Sequence, residues 1–134
     1  MELRYHLRPI HPSDDAAVAE HIREVMTELG ASSPGFAIHD AEVDAMSSAY
    51  DRDGAAYYVI ESFDEGILGA GGFSPLDGGD PGTCELRKMY FRPALRGRGQ
   101  GRRLLWHCLR SAAALGYQRC YLETLESMQA ARRL

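Results

Sequence analysis

A chain of 134 residues, 25% charged and 45% apolar, has the size and composition of one ordinary globular domain. It has room for one core that buries about two thirds of the unfolded surface. No window approaches the ~18 to 20 continuous apolar residues of a membrane span, and the start, Met1 to His6, lacks the apolar stretch of a secretory signal. A cytoplasmic protein without membrane contact is therefore the expectation. The net charge is -4, but residues 86–115 hold eight basic side chains and no acidic one. A compact basic segment in an acidic chain suits a small polyanionic ligand. A nucleic-acid backbone asks for a broad basic face, so no nucleic-acid partner is expected.

Leu3, Tyr5 and Leu7 alternate with Arg4, His6 and Arg8, which predicts a first strand over 3–9. Ser13 is placed to cap a helix that Asp14 and Asp15 open, with Val18, Ile22, Val25, Met26 and Leu29 on one stripe and Gly30 as its stop. After a loop, Val43, Met46 and Ala49 or Tyr50 predict a second short helix over about 40–50. Aromatic and β-branched residues make 55–63 a strand, and Asp64-Glu65-Gly66 turns it into a partner strand over 67–73. Gly69, Gly71 and Gly72 there either admit a close neighbour or mark a weak, bulged strand. A loop over 76–82 leads to the central strand 84–91. A helix then runs to Leu115, with Leu104, Leu105, Cys108, Leu109, Ala112 and Leu115 on one face and Gly116 as its stop, and Trp106 is expected to pack on the sheet. A strand over 117–124 follows, and Met128 opens a last helix. No repeat or second domain is visible, so residues 1–134 read as a single domain.

Between the central strand and its helix lies Arg96-Gly97-Arg98-Gly99-Gln100-Gly101. Glycines at every second position remove the Cβ atoms that keep a ligand away from the backbone. The helix that begins there aims unpaired N–H groups and its positive dipole end at the same point. A nucleotide P-loop would need Lys-Ser/Thr where Arg102-Arg103 stands. A dinucleotide fold would need a third glycine where Arg102 stands, and an apolar strand where Glu85, Arg87 and Lys88 stand.

The remaining pattern, Arg/Gln-x-x-Gly-x-Gly/Ala after a strand, is met at every fixed position. On this motif, on Leu86-Arg87-Lys88-Met89-Tyr90-Phe91-Arg92-Pro93 before it, and on Leu115-Gly116-Tyr117 after the helix, the chain resembles the GNAT family of N-acetyltransferases. The order of elements agrees from Leu3 onward. The resemblance implies an α/β (α+β) fold, with a mixed, mostly antiparallel sheet flanked by helices. It implies acetyl-CoA as co-substrate, its pyrophosphate on Arg96, Gly97, Arg98, Gly99, Gln100, Gly101 and Arg102, and its pantetheine arm on the backbone of Met89, Tyr90 and Phe91. It further implies direct acetyl transfer to the amine of a small molecule or amino-acid-like acceptor. A non-catalytic acyl-CoA-binding domain of the same fold is the alternative.

Glu85 stands near where some members of the family carry a catalytic glutamate, and is the candidate base. A strand-end glutamate paired with a nearby arginine is the other reading. Glu123, Tyr121 and His39 are candidates for substrate contact, His39 also fitting a plain surface role. The family's usual thiolate acid is a tyrosine on the last helix, and Ala130 to Leu134 reads like the approach to it. Met128 stands where an asparagine is frequent. The two strands that end the sheet in the family have no counterpart in the sequence, which implies a shortened chain or an edge supplied by a partner, as in a homodimer. The five histidines form no ligand set, so no metal is expected. Cys84, Cys108 and Cys120 read as small buried hydrophobes.

Overall fold

The structure, a computed structural model, describes residues 4–30 and 40–122. Strand β1 (Tyr5–Pro9) leads to helix α1 (Asp15–Glu28). A turn of helix, Ala41–Ala45, runs into the single turn α2 (Met46–Ala49). Then come β2 (Ala56–Ser62), β3 (Gly66–Pro75), β4 (Thr83–Phe91), α3 (Gln100–Ala114) and β5 (Arg119–Tyr121). The five strands form one sheet in chain order. All neighbours are antiparallel except β4 and β5, which are parallel.

Helices cover both faces, which explains why β2 reads as an unbroken apolar run rather than an alternation. Tyr57 and Val59 face α1 and α2 in a core with Val18, Ile22, Met26, Val43, Met46 and Tyr50. Tyr58 and Ile60 face α3, packing with Phe73, Leu86, Leu95, Leu104 and Cys108. The α3 stripe is buried over Leu104, Leu105, Cys108 and Ala112, but Leu115, placed on it by periodicity, stands 58% exposed because the helix ends at Ala114 and the chain turns away. Trp106 departs from expectation: it stands 46% exposed, because its position lies off that stripe. Ser13 does not cap α1 either. The Asp14 carboxylate accepts the His11 N–H at 2.7 Å, within a tight turn over Pro12–Asp14 that precedes the helix.

The glycines of β3 make room for neighbouring side chains. A Cβ at Gly69 would press on Phe91 and Leu95, one at Gly71 on Met89, and one at Gly72 on Tyr57 and the Ala56 carbonyl. Strand β3 is therefore a full ten-residue strand across which its neighbours' side chains lie.

Between the pairs Gly72 with Arg87 and Ala70 with Tyr90, β4 carries one residue more than β3. This is a β-bulge, and Lys88 sits in it at φ +49°. Before the bulge Cys84 and Leu86 face α3; after it Met89 and Phe91 do. Strand β5 pairs with β4 only over Thr83, Cys84 and Glu85. Beyond Glu85 the outer edge of β4 carries no paired strand among the described residues.

Candidate active site

The glycine loop has the conformation its composition asks for. Gly97 and Gly99 stand at φ +77° and +76°, a region that L side chains enter only at a cost. A Cβ at either would meet no protein atom, so glycine is required there by conformation rather than by crowding. Gly101 lies over the Phe91 ring, 3.4 Å from where its Cβ would be. Gly99 is the residue before α3, and the first bond inside the helix runs from the Arg103 N–H to the Gly99 carbonyl. The preceding N–H groups have no acceptor within the helix, and no side chain caps it among the described residues. An anion at this end would meet both the free donors and the helix dipole.

The loop arginines divide in use. Arg96 pairs through both terminal nitrogens with Glu28 of α1 and gives its Nε–H to the Phe91 carbonyl at 2.9 Å. Arg92 pairs with Glu24 of α1. Arg98 gives its Nε–H to the Ala94 carbonyl, and Arg102 is exposed without a partner among the described residues. The first two brace the loop against α1, while Arg98 and Arg102 keep donors free at its surface.

Along β4 the main chain is partly engaged. His21 of α1 lies within 2.9 Å of the Tyr90 carbonyl through Nε2, so that nitrogen carries the proton and donates. Burial, with a smaller contribution from Arg92, lowers His21 to about 4 and keeps it neutral. Its Nδ1 has no partner among the described residues. The Tyr90 and Phe91 carbonyls thus accept from His21 and Arg96, whereas no side chain bonds the main chain of Met89 among the described residues.

Glu85, Arg87 and Lys88 project to the α1/α2 side. The Lys88 ammonium, 2% exposed, donates to Glu42 at 2.7 Å and Asp40 at 3.0 Å. Glu42 also accepts from Tyr50 at 2.9 Å. Burial, the largest single influence, would raise the Glu42 carboxyl, but Lys88, Tyr50 and Arg87 together outweigh it and hold Glu42 below the usual range. Arg87 lies 3.5 Å from Glu85 and 3.8 Å from Glu42. Glu85 is thus both a strand glutamate near an arginine and a partly exposed carboxylate beside the cluster. Tyr121 stands opposite it in the β4–β5 register, 45% exposed. His39, Glu123 and the last helix lie outside the described residues.

Residues 19–134 match the model of the acetyltransferase (GNAT) family. The chain belongs to the GNAT family of acetyltransferases. It is 38% identical, over 119 residues, to the Escherichia coli (strain K12) protein named uncharacterized N-acetyltransferase YjgM, a match covering 88% of this chain and 71% of that one. In fold it is similar to a GNAT acetyltransferase of Staphylococcus aureus Mu50, with TM-score 0.83 and 17% identity over 96% of this chain and 79% of the other. A predicted acetyltransferase of Clostridium acetobutylicum, solved with acetyl-CoA, matches with TM-score 0.75 and 14% identity over 96% and 86%.

For this GNAT chain the structure brings together Glu85, Tyr121 and the β4 edge, and sets the glycine loop at the end of the same strand. Sequence reading missed Tyr57, His21, Glu42 and the Lys88 bulge. The signals for the first and last were present but indirect. Gly71-Gly72 leaves room over β3, and a lysine interrupts an otherwise alternating strand.

Proposed function

We propose that the protein transfers an acetyl group from acetyl-CoA to the primary amine of a small or amino-acid-like acceptor. The observation that carries this reading is the pair of left-handed glycines, Gly97 and Gly99, at the start of α3, which no side chain caps among the described residues, one short turn after the β4 edge that β5 leaves unpaired. In this reading the loop amides from Arg96 to Gly101 take the pyrophosphate, Arg98 and Arg102 add charge, and the pantetheine arm lies along Met89, Tyr90 and Phe91 as a strand would.

Transfer needs a neutral amine, a polarised thioester carbonyl and a proton for the leaving thiolate. Glu85 takes the proton from the ammonium, directly or through water, and Tyr121, Glu123 and His39 contact the acceptor. The amine lone pair attacks the acetyl carbonyl, the C–N bond forms as the C–S bond breaks, and CoA leaves as thiolate, which takes up, directly or through water, the proton that the acylated nitrogen sheds.

A covalent acyl-cysteine route finds no support among the described residues. Burial pushes Cys108 and Cys120 up to about 12 and raises Cys84 too, so none is a thiolate at neutral pH. Local pairing of Arg92, Arg96 and Lys88 with carboxylates also argues against an open basic face for nucleic acid. Among the described residues no helix is long and apolar enough to cross a membrane.

The test is thiol release from acetyl-CoA across a panel of amines, amino acids and aminosugars. Release that saturates in both substrates is the expected result. Coenzyme binding with no release for any acceptor would instead favour the non-catalytic acyl-CoA-binding reading.

A further inference from the structure

Tyr57 lies on β2, opposite Gly72 of β3, and reaches across β3 to the strand beyond. Its Oη donates to the Lys88 carbonyl at 2.6 Å, and the phenol is buried. Burial also raises its pKa well above the ordinary value, so the donor persists through the physiological range. The Lys88 carbonyl therefore points back toward β3 and β2. No peptide here is cis, and in a trans peptide the carbonyl and the following N–H point in opposite directions. The N–H of Met89 is thereby aimed at the other edge of β4, the edge that β5 leaves unpaired beyond Glu85. Neither Lys88 nor Met89 has a partner residue in β3.

This orientation depends on Lys88 holding φ +49°, a region disfavoured for a residue with a side chain. Two anchors keep it there: Tyr57 on the carbonyl, and the buried ammonium on Asp40 and Glu42. Both pull the bulge toward the α1/α2 side and away from the open edge.

We infer that Tyr57 and the Lys88 side chain are positioning residues that aim the Met89 amide at the thioester carbonyl of acetyl-CoA. The inference rests on the acetyl-CoA reading above and adds the two side chains that hold the polarising donor in place. An amide held on target before the substrate arrives needs no reorganisation when charge develops on the carbonyl oxygen. Neither residue touches the coenzyme, and no atom is transferred to or from either.

The test uses acetyl-CoA labelled isotopically at the acetyl carbonyl and reads its infrared stretch when bound to wild type, Tyr57→Phe and Lys88→Met. Wild type should lower the stretch relative to the free thioester. Each variant should bind acetyl-CoA within about twofold of wild type, lose most of that lowering, and transfer acetyl about tenfold more slowly. A merely structural role would weaken binding and leave the stretch of the bound fraction unchanged. If one variant shows no cooperative melting, the other carries the comparison. A full wild-type lowering retained in a folded variant would overturn this inference alone. Wild type that fails to bind acetyl-CoA would overturn the coenzyme reading and this inference with it.

Discussion

At Gly99 a single methyl group distinguishes a conformational role from a steric one. The Cβ of Gly99→Ala would meet open space, yet φ +76° is unfavourable for alanine by roughly 1 to 2 kcal/mol. The variant should stay folded and bind acetyl-CoA about tenfold more weakly by calorimetric titration, since the backbone relaxes away from the geometry that points its N–H groups outward. Unchanged affinity would show that the loop amides do not carry the coenzyme. Glu85 poses a different question. If it takes the amine proton, Glu85→Gln should lower kcat by roughly a hundredfold, with acetyl-CoA affinity unchanged. If it only balances Arg87 at 3.5 Å, thiol release should fall little. The glycines were legible in the sequence because few other residues adopt such angles. Lys88 was not, because a lysine in a strand looks like any solvent-facing residue until the bulge turns it inward.

At the scale of elements, the contact between α1 and β4 has a pH signature. His21 is buried neutral with its folded pKa lowered to about 4, below the 6.5 of the free side chain. Between those values the unfolded chain binds the proton and the folded chain does not. The contribution is thus fully present above about pH 6.5 and declines as pH falls toward 4. The whole displacement corresponds to on the order of 3 kcal/mol. Urea denaturation at neutral pH and near pH 4.5 should show the loss, and His21→Gln should remove much of it. Equal pH dependence in the variant would contradict the assignment. Periodicity located α1 and α3 and their buried stripes because both helices lie on a face of the sheet. It misplaced the start of α1 by one residue, since Ser13 and Asp14 are both good caps and tertiary context chose between them. Asp14 is drawn toward Arg8, which donates to both of its oxygens, and Ser13 has no such partner.

Across the whole molecule, that same Arg8 joins three elements. Its guanidinium bonds Asp14 ahead of α1 at 2.8 and 3.0 Å and Glu61 of β2 at 2.7 and 3.2 Å, from a place on β1. Arg8→Met leaves the buried Asp14 and the partly buried Glu61 carboxylates without their cation and should cost about 2 to 4 kcal/mol, read as a lower denaturant midpoint with unchanged slope. Little change would mean that water replaces the arginine. The mixed, mostly antiparallel sheet flanked by helices followed from the family resemblance that the glycine motif and the succession of elements carry. Register, bulge and ion-pair partners did not, because they join residues distant along the chain, such as Lys88 with Asp40 and Glu42. The +8 charge of residues 86–115 is redistributed in the same way: Arg92 and Arg96 turn to α1 carboxylates, leaving Arg98 and Arg102 at the loop. The claim that this loop and the open β4 edge form a coenzyme site is tested most directly by thermal melting with added CoA. A saturable rise in Tm is expected, equivalent to about 2.7 kcal/mol at a hundredfold excess over Kd, with a weaker rise at the same concentration in Gly99→Ala. No rise in wild type at millimolar CoA would contradict it.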